Sequence, residues 1–344
     1  MIPDNFKTNQ NAQADDAKNT SGIRSTSTRM PVVQQLTVLG MILLAIFSSS
    51  FIPDILSNIT SHTAAQVSEI PADPAANSND LIKSDGFENI TVTAKSAFVY
   101  DVHSKKVLYE KNPDEQLPIA SITKLMTALV AHEIIEKTAV VSIPELAILQ
   151  ESASGLMYGE TFSFDVLADL MLLSSSNDGA VAIAAAAGAA LDNAAPAQTF
   201  VEAMNVRADE LGLTETYFRN PTGLDISETE AGAFGSARDI ASLMEYILKN
   251  IPELLEATTQ SANVYYNQTG EFHEVENTNH IVNKITGLIG SKTGYTTLAG
   301  GNLTVAFDAS LNRPIVVVVL GSTYNGRFND VLTLSEAARS EIKQ

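Results

Sequence analysis

The chain has 344 residues, 45% of them hydrophobic, which is enough to bury a sizeable core as one large domain or two modest ones. Its 21 lysines and arginines stand against 40 aspartates and glutamates, a formal net charge of -19. That balance argues against nucleic acid as a partner, because a polyanion requires a basic footprint. It also argues against a basic helix lying on a membrane surface. There is no cysteine, so disulfides, thiolate catalysis and Cys-based zinc sites are excluded. His132-Glu133 begins an H-E-x-x-H pattern, but Glu136 stands where the second histidine belongs. Neither a metal nor an organic cofactor is expected.

Residues 1–30 are polar and irregular and are predicted to be a disordered tail. Residues 31–52 are predicted to be a transmembrane anchor or a signal segment, with an apolar run from Leu36 to Phe47 that extends to Ile52. Lys7, Lys18, Arg24 and Arg29 precede this run, and no lysine or arginine follows before Lys83. The positive-inside rule then keeps the N-terminus in the cytoplasm and exports the rest. A single pass through the cell membrane is the expectation, or secretion if the segment is cleaved near Ser48 or Ser50. Residues 53–90, rich in Pro, Ala, Ser, Asn and Asp, read as a linker whose flexible ends would lie about 35 Å apart.

Residues 91–344 read as the folded domain. Ala94–Val102 and Lys106–Glu110 are predicted strands around a turn at 103–105. Helical spacing is predicted over Ser121–Ile135, Phe164–Leu173, Ala180–Leu191, Ala197–Leu211 and Ala237–Leu248. The pattern changes after Thr286. Asn302–Phe307 alternates, Asp308–Pro314 carries turn chemistry, and Ile315–Leu320 is a continuous β-branched run suited to a strand covered on both faces. Val331–Ile342 closes the chain as a helix. Strands at both ends and helices between them imply an α+β fold. Its antiparallel sheet would be built from the N- and C-terminal segments and flanked by helices, with a mainly helical subdomain alongside and a site in the cleft between them.

Three short motifs occur in order: Ser121-Ile122-Thr123-Lys124, Ser175-Ser176-Asn177 and Lys292-Thr293-Gly294. Alone, each is weak. S-x-x-K recurs at Ser340–Lys343, and S-x-N recurs at Ser261–Asn263 and Ser310–Asn312. Their chemistry is nonetheless coherent. A serine hydroxyl needs a base to become a nucleophile, and residues three apart on a helix share a face, so Lys124 can serve Ser121. The lysine must be neutral to do so, and burial or a second nearby cation such as Lys292 would depress its pKa.

The surroundings of the motifs add specificity. They include Pro118-Ile119-Ala120 before Ser121, Gly155–Glu160, Asn220–Asp225, Ser236-Ala237-Arg238-Asp239, and Ala299–Leu303 after Lys292. With them, the chain from about Thr93 to Val318 resembles the low-molecular-mass D-alanyl-D-alanine carboxypeptidases, penicillin-binding proteins of serine peptidase family S11. That family's fold is the β-lactamase/transpeptidase-like one. The resemblance implies Ser121 as nucleophile, Lys124 as base and Ser175 as proton relay, although Ser174 and Ser176 are adjacent alternatives. It implies Asn177, Lys292, Thr293 and Gly294 as substrate contacts, Gly294 by letting the substrate backbone approach. It also implies an oxyanion hole from the backbone N–H groups of Ser121 and Tyr295. The expected partners are peptidoglycan stem peptides, with β-lactams as covalent inhibitors.

A D,D-endopeptidase would use the same residues to cut cross-links. A class A β-lactamase shares the motifs but needs an E-x-x-L-N loop, which is absent between Ser175 and Lys292. A non-catalytic wall-binding module would tolerate decayed motifs, and here all three are intact.

Overall fold

The computed structural model describes residues 85–152 and 154–342. The expected tail at 1–30, the expected membrane or signal segment at 31–52 and most of the expected linker at 53–90 lie outside the described residues. Asp85–Phe87 forms a short 3-10 turn, and Phe87 stacks on Tyr109 with ring centroids 5.6 Å apart.

The main sheet has five antiparallel strands. In chain order its members begin with β1 (Ser96–Asp101) and β2 (Lys106–Lys111). The short strands β3 (Leu117–Pro118), β4 (Val140–Ser142), β5 (Thr161–Ser163), β6 (Tyr217–Phe218) and β7 (Ala233–Gly235) form small accessory sheets. A separate hairpin joins β8 (Ala262–Tyr266) to β9 (Phe272–Glu276). The last three strands, β10 (Leu288–Thr296), β11 (Gly300–Asp308) and β12 (Pro314–Ser322), complete the main sheet in the order β10-β11-β12-β1-β2. The first and last segments therefore share one sheet, as expected, and β10 is an edge strand.

Alternation explains why the β12 run is apolar throughout. Val316, Val318 and Leu320 point into the core shared with the helices, together with Phe98 and Ala306. Ile315, Val317 and Val319 point the other way, into a second cluster with Val331, Leu334 and Ala338 of the closing helix.

The helices are α1 (Lys124–Ile134), α2 (Glu145–Ile148), α3 (Phe164–Ser174), α4 (Asn177–Leu191), α5 (Pro196–Glu210), α6 (Ala237–Asn250), α7 (Glu253–Glu256) and α8 (Gly326–Ile342). The predicted helix at Ser121–Ile135 is in fact two pieces. Ala120–Thr123 is a 3-10 turn, and the α-helix starts only at Lys124. Among the described residues no single helix is long and apolar enough to cross a membrane. No cluster of three His, Asp or Glu side chains is placed to hold a metal among them.

The alanine-rich α4 allows a close approach. A β-carbon added at Gly188 would lie 1.9 Å from the carbonyl oxygen of Pro196, at the start of α5. Backbone cannot yield as a side chain can. Gly188→Ala is therefore expected to destabilise the domain by about 1–3 kcal/mol, read as a fall in thermal midpoint of several degrees with urea midpoints falling in parallel.

Candidate active site

Ser121 sits in the 3-10 turn that leads into α1. The turn is unusual at Ala120, whose φ is 48°, a left-handed value rare for a side chain with a β-carbon. Two contacts hold it. The Thr123 hydroxyl donates to Ala120 O at 2.7 Å. Gly223, itself at φ 78°, packs so closely that a β-carbon there would lie 2.0 Å from the same carbonyl oxygen. The turn displays Ser121, which remains half-buried and reachable.

Lys124 is fully buried, at 0% exposure. Its Nζ lies 3.0 Å from Ser121 Oγ, 2.7 Å from Asn177 Oδ1 and 2.8 Å from Thr222 O. Burial depresses its pKa to about 7, and the carboxylate of Asp178 pulls weakly the other way. These partners fix a direction. A neutral amine has two N–H groups and one lone pair. The amide oxygen of Asn177 and the carbonyl of Thr222 can only accept, so they take the two N–H groups. The lone pair is left facing the Ser121 hydroxyl. The Thr222 carbonyl is positioned by Asn220, whose Oδ1 accepts from the N–H of Thr222 (3.2 Å) and of Gly223 (2.7 Å).

Of the three adjacent serines, the structure distinguishes one. Ser174 donates back to Leu170 O at 2.7 Å. Ser176 is the N-cap of α4 and accepts from Gly179 N at 2.8 Å; Asp178 is not that cap. Its carboxylate instead accepts from Ser154 N (3.0 Å) and Leu156 N (3.2 Å), tying down the loop before Gly159. Ser175 alone faces the cleft. It ends α3 in a left-handed conformation, φ 62°, and its Oγ accepts from Lys292 Nζ at 2.8 Å. Non-glycine residues in this region cost about 1 kcal/mol or more and cluster at functional sites. Asn177 Nδ2 donates to Glu151 O at 2.8 Å.

The edge strand β10 brings Lys292, Thr293 and Tyr295 to the same place. Lys292 is buried at 1% exposure. Burial lowers its pKa well below the usual lysine range, and repulsion from Lys124 and Arg327 adds to this. The Thr293 hydroxyl is 2.5 Å from that of Thr278. Gly294 also has a packing role. A β-carbon there would lie 2.6 Å from Ile119 O and 3.2 Å from Ser121 N. The Ser121 turn itself packs against Gly294, and glycine is needed to bring strand and turn together. That closeness sets the backbone of Ser121 beside that of Tyr295, whose side chain is half exposed.

Sequence reasoning missed Arg327, at the start of α8. It is 3% exposed, donates from NH1 to Gly294 O at 2.7 Å, and has no carboxylate partner among the described residues. No motif announces it, because it lies 35 residues beyond Lys292 on another element. Arg327 and Lys292, both buried without a carboxylate partner among the described residues, are suited to hold an anion. The look-alike motifs have ordinary places. Ser340 lies on α8 and donates to Glu336 O at 3.0 Å, Ser261–Asn263 runs into β8, and Ser310–Asn312 forms the β11–β12 turn.

Comparison with known proteins agrees with this geometry. The peptidase S11 family, D-alanyl-D-alanine carboxypeptidase, matches residues 83–323. DacF of Bacillus subtilis, named a D-alanyl-D-alanine carboxypeptidase, is 33% identical over 260 residues, covering 73% of this chain and 63% of that protein. This chain therefore spans a little under two thirds of that relative's length. A D-alanyl-D-alanine endopeptidase of Pseudomonas aeruginosa is 34% identical over 231 residues, covering 65% of this chain and 70% of that one. Among solved structures, a penicillin-binding protein of Listeria monocytogenes in its ampicillin-bound form is 30% identical, with a TM-score of 0.61 over 72% of this chain and 98% of that one. With the family matched over residues 83–323, most of the chain, this protein belongs to serine peptidase family S11, the D-alanyl-D-alanine carboxypeptidases.

Proposed function

We propose that this protein is a serine D-Ala-D-Ala carboxypeptidase that removes the terminal D-Ala of peptidoglycan stem peptides through an acyl-enzyme. The observation that carries this reading is the buried, neutral-leaning Lys124 with its lone pair directed at Ser121. The stem peptide lies along the free edge of β10, with its terminal carboxylate at Lys292, Thr293 and Arg327. The carboxylate supplies the counter-charge that Lys292 lacks, so Lys292 takes up a proton, and its positive charge then favours the neutral form of Lys124.

Ser121 Oγ attacks the penultimate carbonyl while Lys124 accepts the hydroxyl proton. The oxyanion rests on the N–H groups of Ser121 and Tyr295; a donor so placed is typically worth about 3–4 kcal/mol in the transition state. The peptide C–N bond then breaks as Ser175 passes a proton to the leaving D-Ala amine, the proton held on Lys124 resupplying the relay. Neutral Lys124 then takes a proton from the water that attacks the ester and returns it to Ser121 Oγ as the acyl group leaves. A β-lactam enters the same first step and stays attached, since no E-x-x-L-N loop is present to position a hydrolytic water. We further propose that the apolar run within residues 31–52 anchors the protein in the cell membrane, with this domain outside.

Cross-link cleavage is the alternative, since similar relatives carry either name. Digesting monomeric pentapeptide muropeptides and cross-linked dimers side by side separates the two. The expected result is loss of one D-Ala per pentapeptide, with dimers turned over at least about tenfold more slowly. Dimers resolved into monomers faster than D-Ala appears would establish the endopeptidase instead.

A further inference from the structure

Two exposed tyrosines pack against the Arg327 guanidinium. Tyr295 and Tyr324 are 50% and 47% exposed. Their rings meet edge to face, with centroids 5.0 Å apart and planes at 88°. The Arg327 guanidinium lies 4.6 Å from the Tyr324 ring centroid and 5.9 Å from that of Tyr295. These contacts make one wall out of residues from two separate segments.

The wall is held rigidly. Tyr324 lies in the turn between β12 and α8, where Gly326 N donates to Thr323 Oγ1 at 2.9 Å and Arg327 N to Thr323 O at 3.2 Å. The turn is seated on β11, since a β-carbon at Gly301 would lie 2.2 Å from Thr323 O. Arg327 is pinned to Gly294 O at 2.7 Å. The rings therefore have a fixed floor and a fixed backbone.

Their position relates them to one part of the substrate. A peptide with its scissile carbonyl at Ser121 and its carboxylate at Lys292, Thr293 and Arg327 has its final residue beside Gly294, whose carbonyl holds the guanidinium on which both rings rest. We infer that the Tyr295–Tyr324 pair walls the subsite for the departing residue and restricts it to a small side chain. This rests on the peptidase reading above and deepens it. A terminal D-Ala presents only a methyl group. A bulkier D-residue, or one whose leaving amine carries a second peptide, has to displace a ring seated on Arg327.

The test uses the full chain and two synthetic peptides, one ending in D-Ala-D-Ala and the other in D-Ala-D-Leu. The quantity read is the ratio of their kcat/KM values. Tyr324→Ala is expected to raise the relative rate on the D-Leu peptide about fivefold or more, in the range that a few methylenes are worth in a pocket. Tyr324→Phe keeps the ring and is expected to keep the wild-type ratio. Stoichiometric labelling of Ser121 by labelled penicillin shows that each variant retains an intact site. An unchanged or lower D-Leu ratio in a fully labelled Tyr324→Ala protein overturns the wall while leaving the peptidase reading standing. If the labelled wild-type protein cleaves neither peptide, the peptidase reading fails and this inference falls with it.

Discussion

Ser121→Ala protein incubated with labelled penicillin forms no covalent adduct, and its release of D-Ala falls by at least about 10⁴-fold. The size of the loss follows from the site. Among the described residues Ser121 is the only hydroxyl hydrogen-bonded to Lys124 Nζ, because the remaining partners of that amine are the oxygens of Asn177 and Thr222. Without it no ester can form, and binding plus the backbone donors can only assist direct attack by water. Ser175 is hydrogen-bonded to Lys292, which in the proposed complex is protonated against the substrate carboxylate and so cannot serve as its base. Peptide mapping by mass spectrometry checks this result, with the wild-type adduct confined to one peptide containing Ser121. Ser340→Ala serves as the control, because that hydroxyl is committed to its own helix. An adduct that persists in Ser121→Ala protein would place the nucleophile elsewhere and dismantle the mechanism.

Much of this site could be read from the sequence because its parts are local. Ser121 and Lys124 declare themselves by spacing, and the β12 run declares its two-sided burial by continuous β-branching. The details that decide the chemistry are not local. The direction of the Lys124 lone pair depends on the Thr222 carbonyl, which is 98 residues away in sequence and is aimed by the Asn220 side chain. A carbonyl leaves no trace in a motif. Likewise, the close packing of the Ile119–Ser121 turn against Gly294 leaves no trace in the motif. Arg327 and Tyr324 come to the cleft only because β12 returns beside β11, so no spacing rule points to them. The β8–β9 hairpin was missed for another reason. Tyr266 and Phe272 are exposed, at 61% and 65%, so its apolar residues do not mark a buried face.

The pH profile tests the lysine most directly. A protonated Lys124 has no lone pair to offer, so acylation follows the neutral fraction. Burial brings the pKa down to about 7. The logarithm of kcat/KM for penicillin acylation is therefore expected to rise with unit slope as pH increases toward 7, and to level off above it. An ordinary lysine, with a pKa near 10.4, would be neutral in only roughly one molecule in three thousand at pH 7, and the limb would not level off before pH 10. Asp178 raises the pKa of Lys124, so Asp178→Asn is expected to move the limb to lower pH. Lys124→Arg removes the neutral form altogether, because guanidinium does not deprotonate in this range. Its kcat/KM is expected to fall by about 10²–10⁴-fold, with the limb abolished. A limb that remained near 7 in the Lys124→Arg protein would assign the titration to another group and leave Ser121 without the base proposed here.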